Sequence, residues 1–175
     1  ATSVGTIDSV YRANTKAGFS IVSYTGTGSA GTVAHGLGVA PSMIWIKSRV
    51  PTSADGNWLV YVKAGSVDET DYLLLNSIAA ADDAAGAFND TAATSTTFSL
   101  GTFPDLNDNT KTYIAYCFAN IEGYSKVGSF SGNNSTNFVH TGFRVAWLMI
   151  KNVDEGSGAD WGMFDNTRPD GTGAT

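Results

Sequence analysis

The sequence predicts an all-β protein: an antiparallel β-sandwich of jelly-roll or concanavalin-like type with an internal pseudo-repeat. Three observations carry this expectation. Short apolar or alternating runs rich in Val, Ile, Tyr, Phe and Trp recur along the chain, and Gly, Asn, Asp, Ser and Pro punctuate them every several positions. The stretch 18–48, GFSIVSYTGTGSAGTVAHGLGVAPSMIWIKS, also comes back at 123–152 as GYSKVGSFSGNNSTNFVHTGFRVAWLMIKN. β-Branched and aromatic side chains suit a pleated, half-buried surface, and turn residues between such runs mark strand ends.

Taken in order, residues 1–14 form a lead-in, and FSIVSY and GTVAH read as two strands joined by a glycine-rich turn, since glycine takes positive φ without a side-chain clash. GLGVAP is a connector in which Pro41 presets entry into the buried run SMIWIKS. WLVYVK and YLLLN follow as strands. The segment 77–88, SIAAADDAAGAF, is the only helix-friendly stretch, and Gly86 with the paired aspartates makes it equally a short helical turn or a surface loop. TFSL, TYIAYCFANIEG, YSKVGSF, NFVHT, AWLMIKN and WGMFD complete the strand series. Residues 168–175 read as a flexible or truncated tail.

At 175 residues the chain can bury one good core or two small ones. In the repeat, Gly18 answers Gly123, Gly26 answers Gly132, His35 answers His140, Lys47 answers Lys151 and Trp58 answers Trp161. This divides 15–167 into two related units, 18–122 and 123–167. Either the units are separate sandwiches, the second stopping partway, or they interleave into one sandwich with pseudo-twofold symmetry. The second arrangement is the expected one, with the segment between Lys47 and Glu122 carrying the long crossovers.

Charged residues are only 15% of the chain, the net charge is −6, and the ten Lys and Arg form no run. Nucleic-acid binding and electrostatic membrane attachment are therefore not expected. The longest apolar run is far too short for a membrane helix. Cys117 is the sole cysteine and sits in an apolar run, where it reads as a small buried hydrophobe.

Each histidine ends a short strand before a glycine-containing loop, with no second ligand at a fixed spacing, so His35 and His140 read as loop-holding residues. The acids cluster as DETD, DD, DLND and DE in loops, with no pair on facing strands as a glycosidase needs. No catalytic residues are assigned. Asp105, Asn107 and Asp108 offer alternating oxygen ligands, a weak calcium signal without EF-hand spacing, and a solvated turn is the favoured reading.

The aromatic residues are more informative. In NWLVY and DWGMF the Trp and the aromatic three positions on point to opposite faces of a strand, so one of each pair is expected outside or at an interface. Trp58, Tyr61 and Trp161, with the amide of Asn57 and the carboxylate of Asp160, are the candidate ligand-binding residues, a sugar-stacking platform if exposed.

The combination AGFSIVSYTGTG, HGLGVAPSMIWIK, NWLVY, TYIAYCFANIEGYSKVGSFSGN and TGFRVAWLMIKN resembles a repeated β-rich module of tailed-bacteriophage tail-fibre and virion structural proteins, of the kind found in marine and cyanobacterial phages. The resemblance spans about 15–167. It implies a β-sandwich serving virion assembly or host-surface attachment on the particle surface, without enzymatic activity. The implied partners are other virion proteins or copies of itself, a homotrimer being favoured, together with a host-surface glycan. A free carbohydrate-binding, lectin-like module or surface adhesin is the alternative, and a polysaccharide depolymerase is a third reading.

Overall fold

The structure is a computed structural model, described for residues 3–51, 54, 56–155 and 160–167. The tail at 168–175 lies outside the described residues. Eleven strands and two one-turn helices are present among them. In chain order these are β1 (Ser9–Asn14), β2 (Phe19–Thr25), β3 (Gly31–Ala34), β4 (Met43–Ser48), β5 (Leu59–Val62), β6 (Asp71–Leu74) and β7 (Asp82–Asp83). They continue as α1 (Ala85–Phe88), β8 (Thr97–Leu100), α2 (Pro104–Asn107), β9 (Thr112–Phe118), β10 (Trp147–Ile150) and β11 (Gly162–Asp165).

The chain is an antiparallel β-sandwich. One layer is a seven-stranded sheet in the order β1-β2-β9-β4-β5-β6-β7, and the other is the β3–β8 pair. Alternation sets the faces. In β9 the residues Tyr113, Ala115 and Cys117 are buried while Thr112, Ile114, Tyr116 and Phe118 are half-buried. The inward set meets Val22 and Tyr24 of β2, Ile44 and Ile46 of β4, and Val33, Phe98 and Leu100 of the opposite layer in one hydrophobic core. Burying such side chains stabilises by about 1.5–3 kcal/mol each, which is what holds the two layers together. Cys117 belongs to this core, and burial pushes its thiol pKa up, so it packs as an apolar group.

The residues 1–14 are more than a lead-in. They supply the edge strand β1, paired with β2 from Ser9↔Tyr24 to Asn14↔Phe19, and Gly5 and Ile7 bridge to Val33 of the second layer. The first strand was not recognised because SVYRAN exposes all but Ser9 and so carries little apolar pattern. The 77–88 segment splits between the short strand β7 and the single turn α1, which ends at Asn89 with φ 57°.

The two units do not interleave. All seven strands of the large sheet come from residues 9–118, and the second unit contributes only the separate hairpin β10–β11. The expected strands YSKVGSF and NFVHT join no sheet: the first begins in a turn and makes only the bridge of Ser125 to Ile121, and the second has no regular structure. What repeats is the hairpin: Met43↔Val62 through Ile46↔Leu59 in β4–β5 becomes Trp147↔Asp165 through Ile150↔Gly162 in β10–β11. The Lys63 N–H to Ser42 carbonyl bond at the hairpin mouth, 3.0 Å, is matched by Asn166 N–H to Ala146 carbonyl, 3.1 Å. Gly18 and Gly123 both hold positive φ, 62° and 72°.

The matched glycines Gly26 and Gly132 have parted. A Cβ on Gly26 would stand 2.3 Å from the Asp108 carbonyl oxygen, whereas one on Gly132 would meet nothing within 4 Å. Gly26→Ala is therefore expected to cost about 1–3 kcal/mol, and Gly132→Ala less than about 0.5 kcal/mol. Urea midpoints of the two variants check this, and equal effects would show that the glycine positions remain equivalent.

Candidate functional site

The outer face of the large sheet carries a band of half-buried aromatic rings. Phe118 of β9 lies 4.8 Å from Trp45 and 5.1 Å from Phe19, and Trp58 stacks on Tyr116 at 6.3 Å with 21° between planes. The band follows from alternation: residues 114, 116 and 118 face outward because 113, 115 and 117 face the core. Of these rings only Trp58 was among the candidate ligand residues. Tyr116 and Phe118 stand in a run that reads as core throughout, yet its period-two pattern carries the signal that they face outward.

The candidate residues separate into three groups. Tyr61 is core, 2% exposed, set edge-on to Phe88 at 5.2 Å, with its hydroxyl accepting from the Ala93 N–H at 3.2 Å. It is withdrawn as a ligand contact, because the pleat that puts Trp58 outside turns Tyr61 inside. Asn57 and Trp58 lie at the mouth of the β4–β5 loop. Asn57 accepts from Asn76 Nδ2 at 3.0 Å and donates to Asp105 Oδ2 at 3.3 Å, while the Trp58 backbone N–H donates to Asn76 Oδ1 at 2.9 Å. Trp161 is half-buried, and its indole Nε1 donates to the Leu74 carbonyl at 2.9 Å. Asp160 is exposed beside it, and its charge opposes the pKa lowering that partial burial imposes on Lys151.

The end of β6 thus gathers Trp58 and Trp161: Leu75 N–H bonds the Trp58 carbonyl at 3.0 Å, and Leu74 holds the Trp161 indole. The two side chains serve different ends: the Trp58 ring stacks on Tyr116 in the outer aromatic band, and the Trp161 indole docks the second hairpin on β6. The amides of Asn57 and Asn76 beside Trp58 are already bonded within the chain.

The possible calcium ligands have other work. Asn107 is fully buried. Its Oδ1 accepts from Thr27 N–H at 2.8 Å and its Nδ2 donates to the Ser29 and Gly101 carbonyls at 2.7 and 2.8 Å. Asp105 is also buried, accepting from Gly56 N–H at 2.8 Å and from Asn57. The DLND turn is accordingly a buried tie between loops rather than the solvated turn expected, because a carboxylate and an amide inside a protein need partners on every arm. Among the described residues no group of three or more His, Cys, Asp and Glu side chains is arranged to hold a metal ion.

The histidines differ in the same way as the glycines. His35 is buried between layers: its Nδ1 accepts from Leu37 N–H at 3.2 Å and its Nε2 lies 3.1 Å from the Thr94 carbonyl. That pairing requires the neutral tautomer protonated at Nε2. His140 is exposed, and its carbonyl accepts from Lys126 Nζ at 2.8 Å. Lys47 donates to the Gly56 carbonyl, and Lys151 to those of Ile78 and Asn152, 3.0 Å each.

A second surface is apolar. Of the β10–β11 hairpin, Leu148 and Phe164 are exposed on one face and Trp147 and Met163 on the other, and a shallow cleft runs between Val145, Leu148 and Phe164. So many exposed apolar side chains on one element depart from the single scattered residues of an ordinary surface.

By comparison with known families, the chain belongs to a family described as a domain of unknown function, DUF7483, whose profile matches residues 1–174. Comparisons with curated proteins and with solved structures give no match.

Two predictions follow from the two halves of this geometry. Burial lowers the His35 pKa, so the unfolded chain binds its proton first as the pH falls. Stability is then expected to be full above the unfolded value of about 6.5 and to decline below it, with His35→Gln flattening that dependence. Urea titrations between pH 5 and 8 measure it, and an unchanged slope in the variant refutes the assignment. For Trp161→Ala, the expected outcome is a hairpin released from β6 while β9 amides stay protected against hydrogen exchange. Loss of β9 protection would show that the hairpin is part of the main folding unit.

Proposed function

We propose that this chain is a non-enzymatic structural module of a tailed-bacteriophage virion, working in tail-fibre assembly and host-surface attachment. The observation that carries the reading is the β10–β11 hairpin, apolar and exposed on both faces, Leu148 and Phe164 on one and Trp147 and Met163 on the other, which suits contact with another protein better than contact with a sugar. The virion resemblance of the sequence agrees with such a role. Its partners in this reading are other virion proteins or copies of itself, with a glycan of the host surface met at Trp58 and Trp161.

The acids fit a structural role. Asp68 caps a turn through the Thr70 N–H and hydroxyl at 2.9 Å each, and Asp82 accepts from the Tyr72 hydroxyl at 2.8 Å. Asp105 ties two loops together. Carboxylates spent this way position backbone rather than protons.

The outer aromatic band that includes Trp58 favours the second reading, a lectin-like module. Light scattering over a range of concentrations, run beside a glycan array, separates the two. The virion reading expects reversible assembly above the monomer mass, reduced when Trp147 and Phe164 are both replaced by Ser. A monomer at every concentration whose glycan retention depends on Trp58 and Trp161 would replace that reading with the lectin.

A further inference from the structure

The second unit shows a rule in which of its strands pair. β4 and β5 both have counterparts in the second unit, and those counterparts, β10 and β11, pair in the same register. The counterpart of β3, around Phe138 and Val139, is unpaired; in the first unit β3 pairs with β8. The counterpart of β2, residues 124–130, makes a single bridge, Ser125 to Ile121, and joins no sheet; β2 pairs with β1 and β9. The open edge of β10 corresponds to the edge of β4 that β9 fills. Neither β8 nor β9 has a second copy within residues 1–175, and β9 is itself held between β2 and β4. Each orphan strand is one whose partner is occupied or has no copy here.

Burial tells the same story by side chain. Ile44, Val60 and Tyr61 are 0–2% exposed, and their counterparts Leu148, Met163 and Phe164 are 40%, 58% and 58% exposed. Val33 is 0% exposed against 89% for Phe138. The second unit keeps apolar residues at positions that are core in the first, so the sequence is written for a covered sheet and edge strands left open are ready to accept another.

We infer that the second unit is completed by strand addition: an extended segment patterned like β8–α2–β9, supplied from outside these 175 residues, pairs antiparallel with β10 and lines up beside 124–130 and Phe138. The pairing register follows from the first unit. Met43↔Phe118 and Lys47↔Ile114 set Trp147 opposite an aromatic residue and Lys151 opposite an aliphatic one. A second copy of this chain is a poor donor, since its β9 is hydrogen-bonded on both edges in the middle of its own sheet. The inference stands independently of the virion reading.

The probe is a synthetic peptide with the sequence of residues 97–118, carrying Cys117→Ser, added to the full chain. Hydrogen exchange followed by mass spectrometry is expected to show β10 amides slowed roughly tenfold or more, with a one-to-one complex by light scattering and no effect from a scrambled peptide. Met149→Pro, placed in the hairpin and away from the main core, is expected to abolish the slowing while β9 stays protected. Three outcomes overturn the inference: β10 unchanged by the peptide, protection appearing at β2 and β4 instead, or concentration-dependent protection of β10 that the peptide does not displace. The last would assign the edge to a second copy.

Discussion

Strand β9 is the element on which the large sheet depends. It lies between β2 and β4, strands that are close in sequence yet never pair with each other, and it bonds both along most of its length. Its inner face supplies Tyr113, Ala115 and Cys117 to the core, and its outer face supplies the rings that Phe19, Trp45 and Trp58 pack against. Small residues at 115 and 117 leave room for Ile46 and Val22 from the neighbouring strands. Because β9 enters from far along the chain, the sheet closes only through a long-range contact, whose loop-closure entropy its assembly must overcome.

A polar tie at the sandwich end keeps β9 in register. Tyr24 and Tyr113 stack at 5.1 Å, and their hydroxyls donate to the Leu106 and Pro104 carbonyls of the α2 turn. Burial pushes the Tyr113 pKa up to about 12, so the phenol stays a donor at neutral pH. Asn107 then links that turn to the loop after β2 and to Gly101. His35 does the same between the loop after β3 and the loop before β8. Buried amides, phenols and an imidazole are costly to leave unpaired, so this set fixes loop positions that apolar packing alone leaves free.

The repeat separates local from non-local information. A hairpin is closed by its own turn and its own cross-strand pairs, so β10–β11 forms with the register of β4–β5. The segment 124–130 has no such hairpin: it makes one bridge, Ser125 to Ile121, and beyond it Val127 N–H bonds the Asn120 side chain at 2.6 Å in place of a neighbouring strand. His140 and Gly132 are retained residues whose first-unit roles depend on surroundings absent around the second copy.

By itself the sequence determined the antiparallel β class, the positions of most strands, the repeated hairpin, the buried thiol and the loop-holding role of His35. These are local or compositional properties: alternation, turn residues and a side chain's need for partners. Only the tertiary structure decided that residues 1–14 supply an edge strand, that β9 inserts between β2 and β4, and that the second unit adds no strand to the large sheet. It also decided that Tyr61 faces inward while Tyr116 and Phe118 face out. The Asp105 and Asn107 cluster became a buried tie for the same reason. Each of these outcomes turns on which distant strand occupies an edge or a face, and pairing across long loops leaves no mark in the spacing of residues along the chain.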